Sequence, residues 1–114
     1  MIEFTLPRPF SANKIHSTVR NRRVKSRAYR LWIEECSLDL LRQRVKPFQT
    51  PILVDIDLPK GSRLDTDNAT KPILDLLVRC GLIPDDRASY VRGTSAAHSE
   101  EPLTTIRVTE SVSC

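Results

Sequence analysis

Asp65 and Asp67 stand two residues apart, just ahead of a segment with helical spacing, and Lys71 follows Asp67 by four. Side chains of an extended chain repeat every two residues, so the two carboxylates are expected to point the same way. At the positive end of a helix, such a pair suits a hard divalent cation with oxygen ligands. Mg²⁺ takes one or two carboxylates and fills its remaining positions with water and phosphate oxygen. An ion held in this way polarises a phosphodiester and lowers the pKa of a bound water. Lys71 adds positive charge where the transition state gathers negative charge. Taken alone, Asp65-Thr66-Asp67-Asn68 is equally a helix entrance, because Asp and Asn are the ordinary residues of turns and N-caps.

The elements that must position these residues follow from the patterning. Ile2-Glu3-Phe4-Thr5-Leu6 alternates as a strand does and is closed by Pro7 and Pro9. From Ser11 to Lys25 no period is clean, which predicts a basic loop. Ser26 is the expected N-cap of a helix in which Tyr29, Trp32 or Ile33, Cys36 and Leu40 recur toward Val45. Its Tyr29 and Trp32 read as core packing, not as a base-stacking platform. Ile52 to Leu58 is the clearest strand, with Asp55 and Asp57 on its wetter face.

A second helix is expected from about Asn68–Thr70 to Cys80, stopped by Gly81, with Ile73, Leu76, Leu77 and Cys80 on its apolar face. Pro72 is tolerable in a first turn, which puts the regular helix start at or just before Thr70. Asp65 and Asp67 then lie on the approach loop. Strands near Tyr90–Gly93 and Leu103–Thr109 complete the order β, α, β, α, β, β. This predicts one α+β domain over residues 1–114, a small mixed sheet packed with two main helices.

With 114 residues, 39% apolar content and six aromatics, such a domain has little stability to spare, and a dimer interface would help. No apolar run approaches the ~20 residues of a membrane span. Met1-Ile2-Glu3-Phe4 lacks the features of a signal peptide, so the expectation is a cytoplasmic protein with no membrane partner. Cys36, Cys80 and Cys114 are widely spaced and odd in number, which fits a reducing compartment and gives them no catalytic role. His16 and His98 are isolated and lack metal-ligand spacing, and no Ser/His/Asp or Cys/His set is indicated.

The net charge of +4 is unevenly spread: eight Lys/Arg and no Asp or Glu fall between Arg8 and Arg30. The acidic group Asp65, Asp67, Asp75, Asp85 and Asp86 comes later. A basic arm beside an acidic cluster can attract a polyanion and hold a cation against it. Lys14, Arg20, Arg22, Arg23, Lys25 and Arg27 are the candidate phosphate contacts, with Arg63 and Lys60 flanking the acidic site. A solvated basic surface is the plain alternative.

Read at full length, the segment running from Arg63-Leu64-Asp65-Thr66-Asp67-Asn68-Ala69-Thr70-Lys71 through Asp75, Leu76 and Gly81 to Asp85-Asp86 resembles the RusA family of Holliday junction resolvases. The opening Leu6-Pro7-Arg8-Pro9-Phe10-Ser11-Ala12-Asn13 and the stretch Ser26 to Arg30 are similar to that family as well. The resemblance covers most of the chain and is strongest from Asp65 to Asp86. It implies metal-binding carboxylates at Asp65, Asp67 and Asp86 and a catalytic lysine at Lys71. It further implies Mg²⁺ as cofactor, with Mn²⁺ an acceptable substitute, and no small organic cofactor. The partners implied are four-way DNA junctions and a second copy of the chain, the homodimer making paired symmetric nicks in recombination and repair. The competing reading is a non-catalytic or relaxed-specificity branched-DNA-binding protein of the same fold. The intact set Asp65, Asp67, Lys71 and Asp86 favours catalysis, since a mere binder has no need of negative charge beside DNA.

Overall fold

Alternating apolar residues build a sheet whose buried face is closed by two amphipathic helices. The computed structural model describes residues 1–110. In chain order the elements are β1 (Ile2–Leu6), a 3-10 turn (Ala12–Lys14), β2 (His16–Val19), β3 (Arg22–Lys25), α1 (Arg27–Arg42), β4 (Ile52–Leu58), α2 (Thr66–Arg79), β5 (Val91–His98) and β6 (Thr104–Glu110). The sheet runs β1-β6-β4-β5, while β2 and β3 form a separate two-stranded ribbon. β4 lies between antiparallel β6 and parallel β5, which makes the sheet mixed. The α+β expectation with two helices is met. No helix among the described residues is long and apolar enough to cross a membrane.

Register decides what is buried. Phe4 lies opposite Ile106, and Ile106 opposite Ile56 on the next strand. One face therefore collects Phe4, Leu6, Ile52, Val54, Ile56, Leu58, Ile106 and Val108, all buried. The helices meet this face in a single cluster, α1 with Tyr29, Trp32, Ile33, Cys36 and Leu40, α2 with Ala69, Ile73, Leu76 and Leu77. On the other face Asp55 accepts a bond from Ser95 Oγ at 2.5 Å, and Asp57 pairs with Arg107. Both aspartates thus belong to the sheet face opposite the core and are engaged by its side chains.

Helix ends follow local chemistry. Ser26 caps α1 through its Oγ to Tyr29 N–H at 3.1 Å. α1 stops at Arg42, short of the expected Val45. The Val45 N–H folds back onto Leu40 O at 3.2 Å, with Arg44 at φ +58. Gln43 then reaches β1, its amide Nε2–H donating to Thr5 O at 2.7 Å while its Oε1 accepts from Thr5 N–H at 2.9 Å. Gly81, at φ +71, ends α2 in the same manner, with Leu82 N–H on Leu77 O at 2.9 Å.

Three expectations are corrected. Ser11–Lys25 is a 3-10 turn followed by a hairpin, reversed at Arg20 and Asn21, both at positive φ as a two-residue primed turn requires. Its strands were hidden because neither buries an alternating apolar face. α2 starts at Thr66, so Asp67 sits in its first turn and Pro72 in its second, where the missing N–H leaves Asn68 O without its helical donor. Pro72 is instead used as a buried apolar residue. β5 runs on to His98 through small residues that carry no alternation, well past Gly93.

Cys36 is buried and Cys80 half-buried, its Sγ 3.4 Å from Ser37 Oγ; Cys114 lies outside the described residues. Burial pushes the Cys36 thiol up to about 12, which keeps it protonated and inert.

Ile56, 1% exposed at the centre of the sheet, and Leu53, 41% exposed on its open face, share one strand. Ile56→Ala is expected to cost ~2–5 kcal/mol, a transfer loss plus a cavity, whereas Leu53→Ala costs under about 1 kcal/mol. Urea unfolding of both variants checks this, and equal losses would contradict the assigned register.

Candidate active site

The parallel unit β4–α2–β5 carries the start of α2 to the carboxyl end of β4, where ligands commonly meet open α/β sheets. Asp65 is the N-cap of α2, yet its side chain makes no capping bond and stays exposed. Asp67 is exposed in the first turn. Among the described residues neither carboxylate takes part in an ion pair. The expectation that the two share one side of an extended segment is corrected, because the helix begins between them. Asp67 lines a recess of about 260 Å³ with Thr66, Thr70, Thr94, Ser95 and Ala96, beside β5.

Lys71 turns the other way. Each four-residue step on a helix rotates about 40°, so the row Asp67, Lys71, Asp75 winds around α2 and away from β5. Lys71 Nζ donates to Asp75 Oδ1 at 2.9 Å and to Asp86 Oδ2 at 3.0 Å. Asp86 is brought there by the return after Gly81, anchored by buried Leu82 and Ile83. That return carries Asp86 to Lys71, which lies six residues and about 9 Å of helix rise beyond Asp65. Among the described residues no group of three or more His, Cys, Asp or Glu is gathered to hold a metal ion. The structure joins Lys71 to Asp86, while Asp65 and Asp67 stand at the start of α2.

Two further groups complete the corner. Tyr29 Oη donates to Asp75 Oδ2 at 3.2 Å, so Asp75 is held between a phenol and an ammonium. Burial, then the neighbouring Asp75, pushes the Tyr29 phenol up to about 12, so it remains a donor. Hydrogen bonds to Asp75 and Asp86 raise Lys71 to about 12. Lys71 is thus a fixed cation at neutral pH, not a base. Its bond holds the Asp86 carboxyl below the usual carboxylate value. Asp85 accepts the Asp86 N–H at 2.6 Å and pairs with Arg87 at 2.9 Å, which fits the geometry of a turn residue.

This corner opens into a cleft of about 470 Å³ between α2 and the β2–β3 hairpin, where His16, Arg23, Lys25 and Arg79 join Lys71, Asp75 and Asp86. Lys25 Nζ sits 5.4 Å above the Tyr29 ring. Of the other basic candidates, Lys14 lines a separate recess with Arg8, and Arg20, Arg22, Arg27 and Arg63 are exposed outside the cleft. Sequence reasoning missed Arg79 as a cleft residue, read His16 as a plain loop residue and gave Tyr29 only to the core. Asp75 carried a signal, four residues past Lys71; Tyr29 carried none, its partner being 46 positions away.

The signs of the shifts set the pH behaviour of this corner. Asp86, held low, contributes stability that is fully present above the ordinary carboxylate pKa and is lost as pH falls through its lowered value. Lys71, held high, contributes stability present below its ordinary value and lost as pH rises through about 12. With Lys71 partly exposed, Lys71→Met is expected to cost about 1 kcal/mol at neutral pH, and the gap from wild type should shrink as pH falls through the lowered Asp86 value. Denaturant midpoints across that range test it, and a gap independent of pH would sink the assignment.

No family model and no curated protein matches this chain.

Proposed function

We propose that the chain is a metal-dependent, structure-selective endodeoxyribonuclease that acts on four-way DNA junctions. The observation that carries this reading is the meeting of Lys71 with Asp86 at 3.0 Å across fifteen residues of sequence, beside a cleft walled by Arg23, Lys25 and Arg79. A lysine held permanently charged at the mouth of a basic cleft suits the stabilisation of a pentavalent phosphate. The carboxylates fit a hard cation by donor type: Asp65 and Asp67 at the positive end of α2 would hold Mg²⁺ or Mn²⁺, with Asp86 the third candidate. When bound, that ion supplies Lewis acidity and an activated water. The chain's own residues grip the backbone, fix the Lys71 charge through Asp75 and Tyr29, and exclude a neutral lysine. A homodimer, two copies related by a two-fold, is the simplest source of two matched cuts in a substrate of near two-fold symmetry. Non-catalytic branched-DNA binding is the second reading, and it needs only the cleft with its basic wall.

Cleavage of a labelled four-way junction with and without Mg²⁺ tests the proposal. Lys71→Met is expected to lose ~100-fold or more in cleavage rate. Asp67→Asn is expected to abolish cleavage while binding is retained or tightened, since a charge that repels phosphate is gone. Equal activity of wild type and Asp67→Asn, or none with any divalent ion, would remove the enzyme reading.

A further inference from the structure

The β2–β3 hairpin is the least buried part of the described chain. Every residue of β3 is exposed, and in β2 only His16 is even partly covered. The ribbon is tied to the body at its base alone, by buried Ile15, by Ser26 N–H on Ile15 O at 2.8 Å and by Ser26 Oγ on Lys14 O at 2.6 Å. Two-stranded ribbons are marginal by themselves, so this one stands without a core of its own.

Its two faces differ. Residues directly opposite in an antiparallel pair share a face. His16 opposite Lys25 and Thr18 opposite Arg23 make one face, while Ser17 opposite Val24 and Val19 opposite Arg22 make the other. His16, Arg23 and Lys25 line the cleft, so the first face looks inward. The outer face carries Arg22 and the exposed apolar Val19 and Val24.

The charges inside the cleft do not balance. Asp75 and Asp86 share the single ammonium of Lys71, and Asp85 pairs with Arg87. Among the described residues Arg23, Lys25 and Arg79 have no carboxylate partner. Three cations outside any ion pair among the described residues thus face one groove, and Arg23 and Lys25, two apart on one strand, project about 7 Å from each other. A compact anion would engage one of them; a chain of phosphates engages all three.

We propose that this cleft seats the phosphodiester backbone of a single DNA strand, gripped between the inner face of the hairpin and Arg79 on the last turn of α2. The inference rests on the endonuclease reading and divides the basic arm: Arg23 and Lys25 hold the strand that leads to Lys71, and Arg20 and Arg22 do not. Arg79, assigned to no role by its sequence context, becomes a strand contact.

The test is fluorescence anisotropy of a labelled four-way junction in EDTA, across a salt series, with unfolding midpoints confirming each fold. Arg23→Ala with Arg79→Ala is expected to weaken binding about tenfold or more and to lower the salt slope by about two. Arg20→Ala with Arg22→Ala is expected to weaken it less than about threefold. Arg23→Lys with Arg79→Lys should restore the slope, because phosphate contacts depend on charge. An outer pair as damaging as the inner one, an unchanged slope for the inner pair, or no recovery with lysine overturns the proposal. Because no metal is present, binding is read apart from cutting. Wild type that cuts with Mg²⁺ while the inner pair binds normally sinks this inference alone. Inner-pair-dependent binding without cutting under any divalent ion sinks the endonuclease reading alone.

Discussion

Two carboxylates withdrawn from bulk water need a cation between them, and in this chain the cation is Lys71. Asp75 and Asp86 have side chains only 18% and 29% exposed, and each lies within 3.0 Å of the same ammonium. Removing that ammonium would leave two partly buried negative charges facing each other, so the three groups are held or lost together. The bond fixes more than a side chain. Asp75 reaches α1 through Tyr29, and Asp86 pins the return between α2 and β5. Helix, helix and return meet at one nitrogen.

The hydrophobic core makes that meeting possible. α2 is seated by Ala69, Ile73, Leu76 and Leu77 against β4, which sets the rotation of the helix and hence the direction of Lys71. Pro72, beside the lysine, is buried and not disruptive. Its cost is a single carbonyl without its helical donor, and its gain is apolar surface at a core position.

Periodicity made the centre of this fold legible. β4, the apolar faces of both helices, the Ser26 cap and the Gly81 stop all follow from residue spacing, because each buries one face against the same core. The hairpin was hidden for the converse reason: it buries almost nothing, so its sequence answers to solvent and charge, which leave no period. β5 was underestimated because a run of Thr, Ser and Ala satisfies a partly exposed edge strand without alternating. In the site, contacts within one turn of a helix could be read from spacing, as with Lys71 and Asp75. Arg23, Arg79 and Tyr29 come together only through tertiary packing, which no local pattern encodes. The resemblance at Asp65–Asp86 named the residues of interest, while the bond of Lys71 to Asp86 was visible only in three dimensions.

Gln43 has an effect that extends beyond a single molecule. An outer strand such as β1 leaves outward-pointing N–H and C=O groups that another chain can extend into a continuous sheet. At Thr5 both of these groups are occupied by the one side-chain amide, which imitates the missing neighbour. At Thr5 the edge of the sheet is therefore closed by chemical satisfaction. Strand-to-strand addition of a second copy is thereby blocked at Thr5 on that edge.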